Sequence, residues 1–228
     1  KTAFRVMDEA VSNKGMGGIL EAAAARLFPE SYREQHPGLV NACKAVLLRA
    51  DPTAFVNACR TLGKLDLREQ VTLINNPTLV VFGSEDAATP PPMSHELAAL
   101  IPGSQLIELK DCGHAPQIQQ PDTLLQAISP FLKAHCRLST KNKRRRCMAH
   151  VTVNGQDIYY VDQGQGSPII LIHGLAGDHT AWHPQMEWLK GSYRIVALDN
   201  RGAGKSTQRD EPVSTEQMAR DVLALMDH

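Results

Sequence analysis

Across 228 residues the chain carries 24 basic and 24 acidic side chains, a formal net charge of zero that argues against a nucleic-acid or membrane-surface partner. Apolar residues make up 43% and charged residues 21%, an ordinary composition able to bury one large core or two small ones. No apolar run reaches the roughly 18 to 20 residues that span a bilayer, and the mixed, charged segment Lys1 to Ala10 does not read as a secretory signal.

From Phe4 to about Arg60 the pattern is helical. GILEAAAARLF (Gly18 to Phe28) is rich in Ala and Leu and stops at Pro29. SYREQHPGLVNACKAVLLRA continues as short helices, and Asp51-Pro52 reads as a helix start with proline tolerated in the first turn. The texture changes at Asn76-Pro77. PTLVVFG (Pro77 to Gly83) is a short β-branched apolar run closed by glycine, as expected of a strand buried on both faces. A helix from Met93, a strand SQLIEL (Ser104 to Leu109) and a helix DTLLQAISPFLKAH follow, which predicts parallel β-α-β connections.

The basic run Lys141 to Arg146 has no periodicity and reads as a solvated junction rather than a nucleic-acid patch. Beyond it, HVTVNGQDIYYVDQG alternates around Asn154-Gly155, a β-hairpin signal. SPIILIHG (Ser167 to Gly174) predicts another buried strand, HTAWHPQMEWLKG a helix, and YRIVALDNRG (Tyr193 to Gly202) a strand ending in a glycine turn. STEQMARDVLALMDH then opens a helix with Ser214 at the N-cap and Gln217 three positions on, a capping box. The five cysteines, Cys43, Cys59, Cys112, Cys136 and Cys147, lack metal-ligand spacing and read as reduced thiols of a cytoplasmic protein.

Two segments carry candidate chemistry at predicted strand ends. GSEDAATP (Gly83 to Pro90) and DCGHAPQIQQP (Asp111 to Pro121) each lie beyond the carboxyl end of a predicted parallel strand, where open α/β sheets bind ligands. An Asp after one strand and a His after the next can meet. The carboxylate then accepts one imidazole N–H, fixes the tautomer and leaves the other nitrogen as a general base. Asp86 and His114 are the candidates. In LIHGLAGDHTAW (Leu171 to Trp182), His-Gly after a strand permits a sharp turn, so the backbone N–H of Leu175 can meet a developing oxyanion. Two motifs are rejected. RGAGKS (Arg201 to Ser206) has Asp199 where a phosphate-binding loop needs its first glycine, and His179 and His183 share a helix face without the glutamate of a zinc-protease helix.

The segments VTVNG, DQGQGSPIILIHGLAG, RIVALDNRGAGKS and QMARDVLALMDH resemble the first third of an α/β-hydrolase. The first half of the chain, through PTLVVFGSEDAATP and GHAPQIQQP, resembles that family's lid and final third. The lid sequence, with REQHPGLVNACKAVLLRADPTAFVNAC, is most similar to the 3-oxoadipate enol-lactonase branch. The resemblance implies an α/β-hydrolase fold, a mostly parallel central sheet flanked by helices with a helical lid. It divides the chain into a lid (1–70), a core part carrying Asp86 and His114 (71–140), a junction (141–147) and a core part carrying the oxyanion loop (148–228).

Two departures from the family follow. The blocks stand in transposed order, and no G-x-S-x-G elbow occurs, so a segment of about 40 to 60 residues is expected to be missing. Ser84 is no substitute, because it lacks the flanking glycines of a strained elbow. An assembly out of order with a gap, or a truncated circular permutant, is favoured over a second complementing polypeptide. Without that central strand its neighbours should expose unpaired backbone groups. The implied activity is hydrolysis of small carboxylic esters or lactones by a Ser-His-Asp mechanism. The alternatives are an epoxide or haloalkane hydrolase, should the nucleophile be Asp, and a non-catalytic ligand-binding module. No metal or organic cofactor, nucleic acid or membrane is implied, and the oligomeric state is left open.

Overall fold

Residues 2–136, 145–207 and 214–228 are described by a computed structural model. In chain order, helices α1 (Thr2–Lys14), α2 (Leu20–Leu27), α3 (Glu30–Gln35), α4 (Pro37–Leu48), α5 (Pro52–Lys64) and α6 (Arg68–Val71) come first. Strand β1 (Leu79–Gly83), α7 (Pro91–Leu100), β2 (Gln105–Leu109), α8 (Pro116–Gln119) and α9 (Pro121–His135) follow. The remainder holds β3 (Arg145–Val153), β4 (Gln156–Gly164), β5 (Pro168–Ile172), a 3-10 turn (His179–Trp182), α10 (His183–Leu189), β6 (Arg194–Leu198) and α11 (Thr215–Asp227).

These elements form two compact units, each built from separated segments. The first holds Lys1–Leu20, Ala42–Leu65 and Ser139–His228; the second holds Glu21–Asn41 and Asp66–Leu138. The helical stretch expected as one block over 1–70 is therefore divided. The cause is packing: Val11, Met16, Ile19, Phe55, Val56 and Cys59 share one buried cluster that joins α1 to α5. Arg26 and Leu27 of α2 instead bond to the loops of the second unit, through Arg26 Nη2 to the Ala88 carbonyl at 2.9 Å and His114 N to the Leu27 carbonyl at 2.9 Å.

In the first unit, β3 and β4 form the hairpin expected around Asn154-Gly155, with Val153 opposite Gln156. Both turn residues are left-handed (φ 48° and 73°), the geometry of the type I′ turns that favour Asn-Gly. The sheet order is β3-β4-β6-β5, antiparallel except for the parallel β5/β6 pair. Val153, Ile158, Val196, Leu198 and Leu225 form a buried cluster that joins this sheet to α11. The helix starts where the capping box demands: Ser214 accepts from Gln217 N, and the Gln217 side chain accepts from Ser214 N. Asp51 likewise caps α5, accepting from Ala54 N at 2.7 Å with Pro52 in the first turn.

Three expectations are corrected. The apolar run SPIILIHG is not a fully buried strand: β5 ends the sheet order, its middle residues are half-buried, and Ile172 is 48% exposed. Among the described residues it has one hydrogen-bonded neighbour and one unpaired edge, the vulnerable feature of edge strands. The strand β1, in the second unit, is also only partly buried: Leu79, Val80 and Val81 are half-buried, while Phe82 and Gly83 are covered. Finally, Arg145 and Arg146 of the basic run open β3, opposite Gly164 and Gln163, rather than forming a junction. Lys141 to Arg144 lie outside the described residues.

The second unit contains a parallel β1/β2 pair with Leu79 opposite Gln105 and Gly83 opposite Leu109, connected through α7. Leu109, Cys112 and Leu124 are the buried centre beneath α9. Among the described residues no helix is long and apolar enough to cross a membrane. All five cysteines are free thiols. Burial pushes the Cys59 and Cys112 thiols up to about 11, helped at Cys112 by the Asp86 and Glu85 charges.

Candidate active site

The loops after β1 and β2 meet because two glycines let their backbones touch. A Cβ on Gly83 would lie 2.1 Å from the Cys112 carbonyl oxygen, and one on Gly113 would lie 2.5 Å from the Leu27 carbonyl oxygen. Across this contact Ser84 N donates to the Leu109 carbonyl (2.9 Å) and Glu85 N to the Cys112 carbonyl (2.8 Å). Ser84 Oγ accepts from Asp111 N at 2.9 Å, bracing a residue in the left-handed region (φ 54°). That bracing gives the hydroxyl a structural task.

The contact brings Asp86 and His114 together. Asp86 Oδ2 lies 2.9 Å from His114 Nδ1. Thr89 bridges the pair, donating its hydroxyl to the same Oδ2 at 2.9 Å and lying 3.2 Å from Nδ1. The other oxygen, Oδ1, accepts from Ala88 N and Thr89 N, each at 2.8 Å. The Asp86 side chain is 5% exposed, while the His114 side chain is 37% exposed. Burial alone would raise the Asp86 carboxyl, but the His114 and Thr89 donors outweigh it and hold it below the ordinary carboxylate value. A carboxylate so satisfied stays ionised and directs a proton to Nδ1. The outward Nε2 has no hydrogen-bond partner among the described residues, the disposition a general base needs.

Leu175 lies in the first unit, in the loop after β5. Its neighbour Ala176 takes a left-handed conformation (φ 58°), unusual for a residue with a Cβ. No backbone carbonyl accepts the Leu175 N–H among the described residues. Asn200, just past β6, donates its side-chain amide to the His173 carbonyl at 2.8 Å and ties the two strand ends together. This loop borders a cavity of about 360 Å³ within the first unit. Ala54, Phe55 and Ala58 of α5 line it on one side and Met218, Ala219 and Val222 of α11 on another.

Neither rejected motif shows ligand-binding geometry. In RGAGKS, a Cβ on Gly204 would lie 2.2 Å from Asp199 Oδ2, and Lys205 N donates to that oxygen at 2.9 Å. Lys205 Nζ sits 4.5 Å from the Tyr159 ring centroid, and Ser206 Oγ accepts from Tyr159 N at 2.9 Å. The segment thus braces β4. His179 Nδ1 pairs with Asp199 Oδ1 at 2.7 Å, and Asp178, His179 and Asp199 offer closely grouped metal-ligand atoms. Their oxygens are already engaged: Asp199 Oδ1 also accepts from His179 N, and Asp178 accepts from Thr180 N, the Thr180 hydroxyl and Arg49. That donor set is a buried hydrogen-bond network rather than an open coordination shell.

Three features were missed in the sequence. Thr89 is an Asx-type partner three residues after Asp86, a local signal that could have been read. Gly83 and Gly113 act through contacts that join distant segments. The Arg201–Asp221 pair, bonded at 2.7 Å and 2.8 Å with side chains 5% and 3% exposed, anchors α11 to the loop after β6.

Residues 167–228 match the profile of the alpha/beta hydrolase fold family. The chain is 29% identical over 126 residues to 3-oxoadipate enol-lactonase 1 of Acinetobacter baylyi, covering 55% of this chain and 47% of that one. An esterase structure from Thermogutta terrifontis superimposes with a TM-score of 0.53 at 32% identity, over 59% of this chain and 50% of that one. The enol-lactonase structure from Burkholderia xenovorans gives 0.54 at 27% identity, over 57% and 49%. The chain spans about half the length of these relatives. Sequence and structure together show the α/β-hydrolase fold.

Proposed function

We propose that this chain supplies the acid–base pair and the oxyanion loop of a hydrolase of small carboxylic esters or lactones. The observation that carries the reading is the Asp86–Thr89–His114 arrangement, which holds Nδ1 and leaves Nε2 without a partner among the described residues. The 228 residues contain no G-x-S-x-G, so in this reading the attacking serine comes from polypeptide outside them. His114 Nε2 takes the serine proton as the hydroxyl attacks the ester carbonyl, and later returns it to the departing alkoxide. Asp86 keeps the imidazole oriented and stabilises its protonated form. The Leu175 N–H receives the tetrahedral oxyanion. The similarity to an enol-lactonase and an esterase supports ester or lactone chemistry.

The test is intact mass spectrometry of the natural protein before and after a fluorophosphonate serine probe, paired with ester turnover by its His114→Ala variant. One stoichiometric adduct, with turnover lowered by about three orders of magnitude or more, is expected. Undiminished turnover in the variant would remove His114 from the mechanism. The missing elbow motif favours a second reading, a non-catalytic binding module. It would take over if the natural protein bound esters without adduct or turnover.

A further inference from the structure

We propose that Arg26 is a positioning residue for the acid–base pair, acting on Asp86 through the peptide group that joins Ala88 to Thr89. The inference rests on the reading of Asp86 and His114 given above and adds a residue bonded to neither side chain. Arg26 is the penultimate residue of α2 and is half-buried. Its Nη2 donates to the Ala88 carbonyl at 2.9 Å. The same peptide group carries the Thr89 N–H, which donates to Asp86 Oδ1 at 2.8 Å. A cation on the oxygen of an amide draws electron density from its nitrogen and makes the N–H a stronger donor, the cooperative effect of hydrogen bonds in series.

The path does not stop at the carboxylate. Asp86 Oδ2 lies 2.9 Å from His114 Nδ1, and His114 N donates to the Leu27 carbonyl at 2.9 Å. Residues 26 and 27 of α2 therefore close a ring of hydrogen bonds around the pair. One holds the Asp86 loop and the other holds the His114 loop. The ring matters because the terminal torsion of an aspartate is soft, so a carboxylate held by one oxygen can turn. With Oδ1 fixed by the Ala88 and Thr89 N–H groups, Oδ2 stays aimed at Nδ1. Among the described residues, the other hydrogen bonds of residues 86–89 run within their own loop or to His114, and Arg26 anchors them from outside. The far side of the ring is equally confined. A Cβ on Gly113 would lie 2.5 Å from the Leu27 carbonyl oxygen and 2.8 Å from Pro29 Cδ, so the His114 loop has no room to slide along the helix end. Phe28, 1% exposed and stacked on Tyr32 at 5.4 Å, pins the turn that follows.

The experiment compares the natural protein with its Arg26→Ala and Arg26→Lys variants by amide-resolved hydrogen exchange and by turnover of p-nitrophenyl acetate. Arg26→Ala is expected to lower protection about tenfold at Thr89 and also at His114, across the ring, from the loss of one charge-assisted hydrogen bond. The kcat is expected to fall about tenfold with KM within about twofold, since the orientation of the proton carrier is lost and substrate binding is not. Arg26→Lys, which returns a cationic donor to the Ala88 carbonyl, is expected to recover both to within about threefold of the parent. A residue that only stabilised the fold would lower the unfolding midpoint and leave kcat and the His114 amide at parent values; that result overturns the proposal. Protection lost at residues 88 and 89 alone overturns it too. Should Arg26→Ala fail to fold, Arg26→Gln keeps a donor without the charge; a loss of about threefold or more at both amides is expected, and unchanged amides overturn the proposal. Undiminished turnover in His114→Ala would overturn the catalytic reading instead. The exchange measurement, which needs no turnover, would then decide the ring by the same outcomes.

Discussion

Gly83→Ala probes the joint that holds Asp86 beside His114. A methyl group there would sit 2.1 Å from the Cys112 carbonyl oxygen and 2.3 Å from the Gly113 carbonyl oxygen, both backbone atoms that no rotamer change can move. Reaching even 3.0 Å, the shortest separation real Cβ atoms tolerate, requires the loops after β1 and β2 to part by about 0.9 Å. The bond from Glu85 N to the Cys112 carbonyl would then stretch from 2.8 Å to about 3.7 Å, past useful hydrogen-bond length. Losing this bond and the neighbouring Ser84–Leu109 bond costs roughly 1 kcal/mol each, and overpacking adds about 1 to 3 kcal/mol. A local destabilisation of about 3 kcal/mol corresponds to roughly a hundredfold loss of protection. Native-state hydrogen exchange resolved over residues 79–90 and 109–120 measures it directly. Protection of the Ser84 and Glu85 amides unchanged within about threefold would refute the close-approach argument.

The Asp221→Ala variant leaves the Arg201 guanidinium buried without its partner, which costs about 3 to 5 kcal/mol. Both tryptophans, Trp182 and Trp188, lie in the first unit, so urea unfolding followed by their fluorescence should show a midpoint lowered by about 1 M or more. A midpoint within about 0.3 M of the parent would argue that the pair is replaceable by water. Acidification tests the carboxylates. Asp86 and Asp178 are raised by burial, but the His114 and Thr89 donors on one and the Thr180 donors on the other hold both below the ordinary value. Their stabilisation is therefore complete above the unfolded carboxyl range near pH 4 and is lost as pH falls through the depressed folded values. Circular dichroism on acid titration should show structure failing below about pH 4, earlier for Asp178→Asn. Rising stability between about pH 5 and 3 would reverse the sign of the argument.

Local signals were legible in the sequence where one short segment holds the whole cause. Asn154-Gly155 fixes its hairpin because both positions need left-handed backbone, and Ser214 with Gln217 closes its own capping box. Asp51-Pro52 starts α5 for the same local reason. Burial was less legible. PIILI is apolar at every position, the composition of a strand covered on both sides, yet among the described residues β5 has β6 beside it and an open edge opposite. Composition reports what a strand can bury; the sheet order decides what it does bury. The division of the helical stretch follows the same logic, since nothing in the amphipathic pattern of α1 or α2 says which distant partner each will meet.

The meeting of Asp86 and His114 was legible because each marks the end of a strand, and parallel pairing of β1 with β2 makes those ends neighbours. The geometry of the pair is not contained in the two residues. It depends on Thr89 filling the second position on the shared carboxylate oxygen, and on Gly83 and Gly113 admitting carbonyl groups where a side chain would stand. The cavity shows the complementary case. Arg201 in RGAGKS invites an anion when read alone, but Asp221, twenty residues later on α11, takes both of its bonds. A positive residue in a motif is thus an anion site only if the fold leaves it unspent. Here the fold spends it on holding a helix.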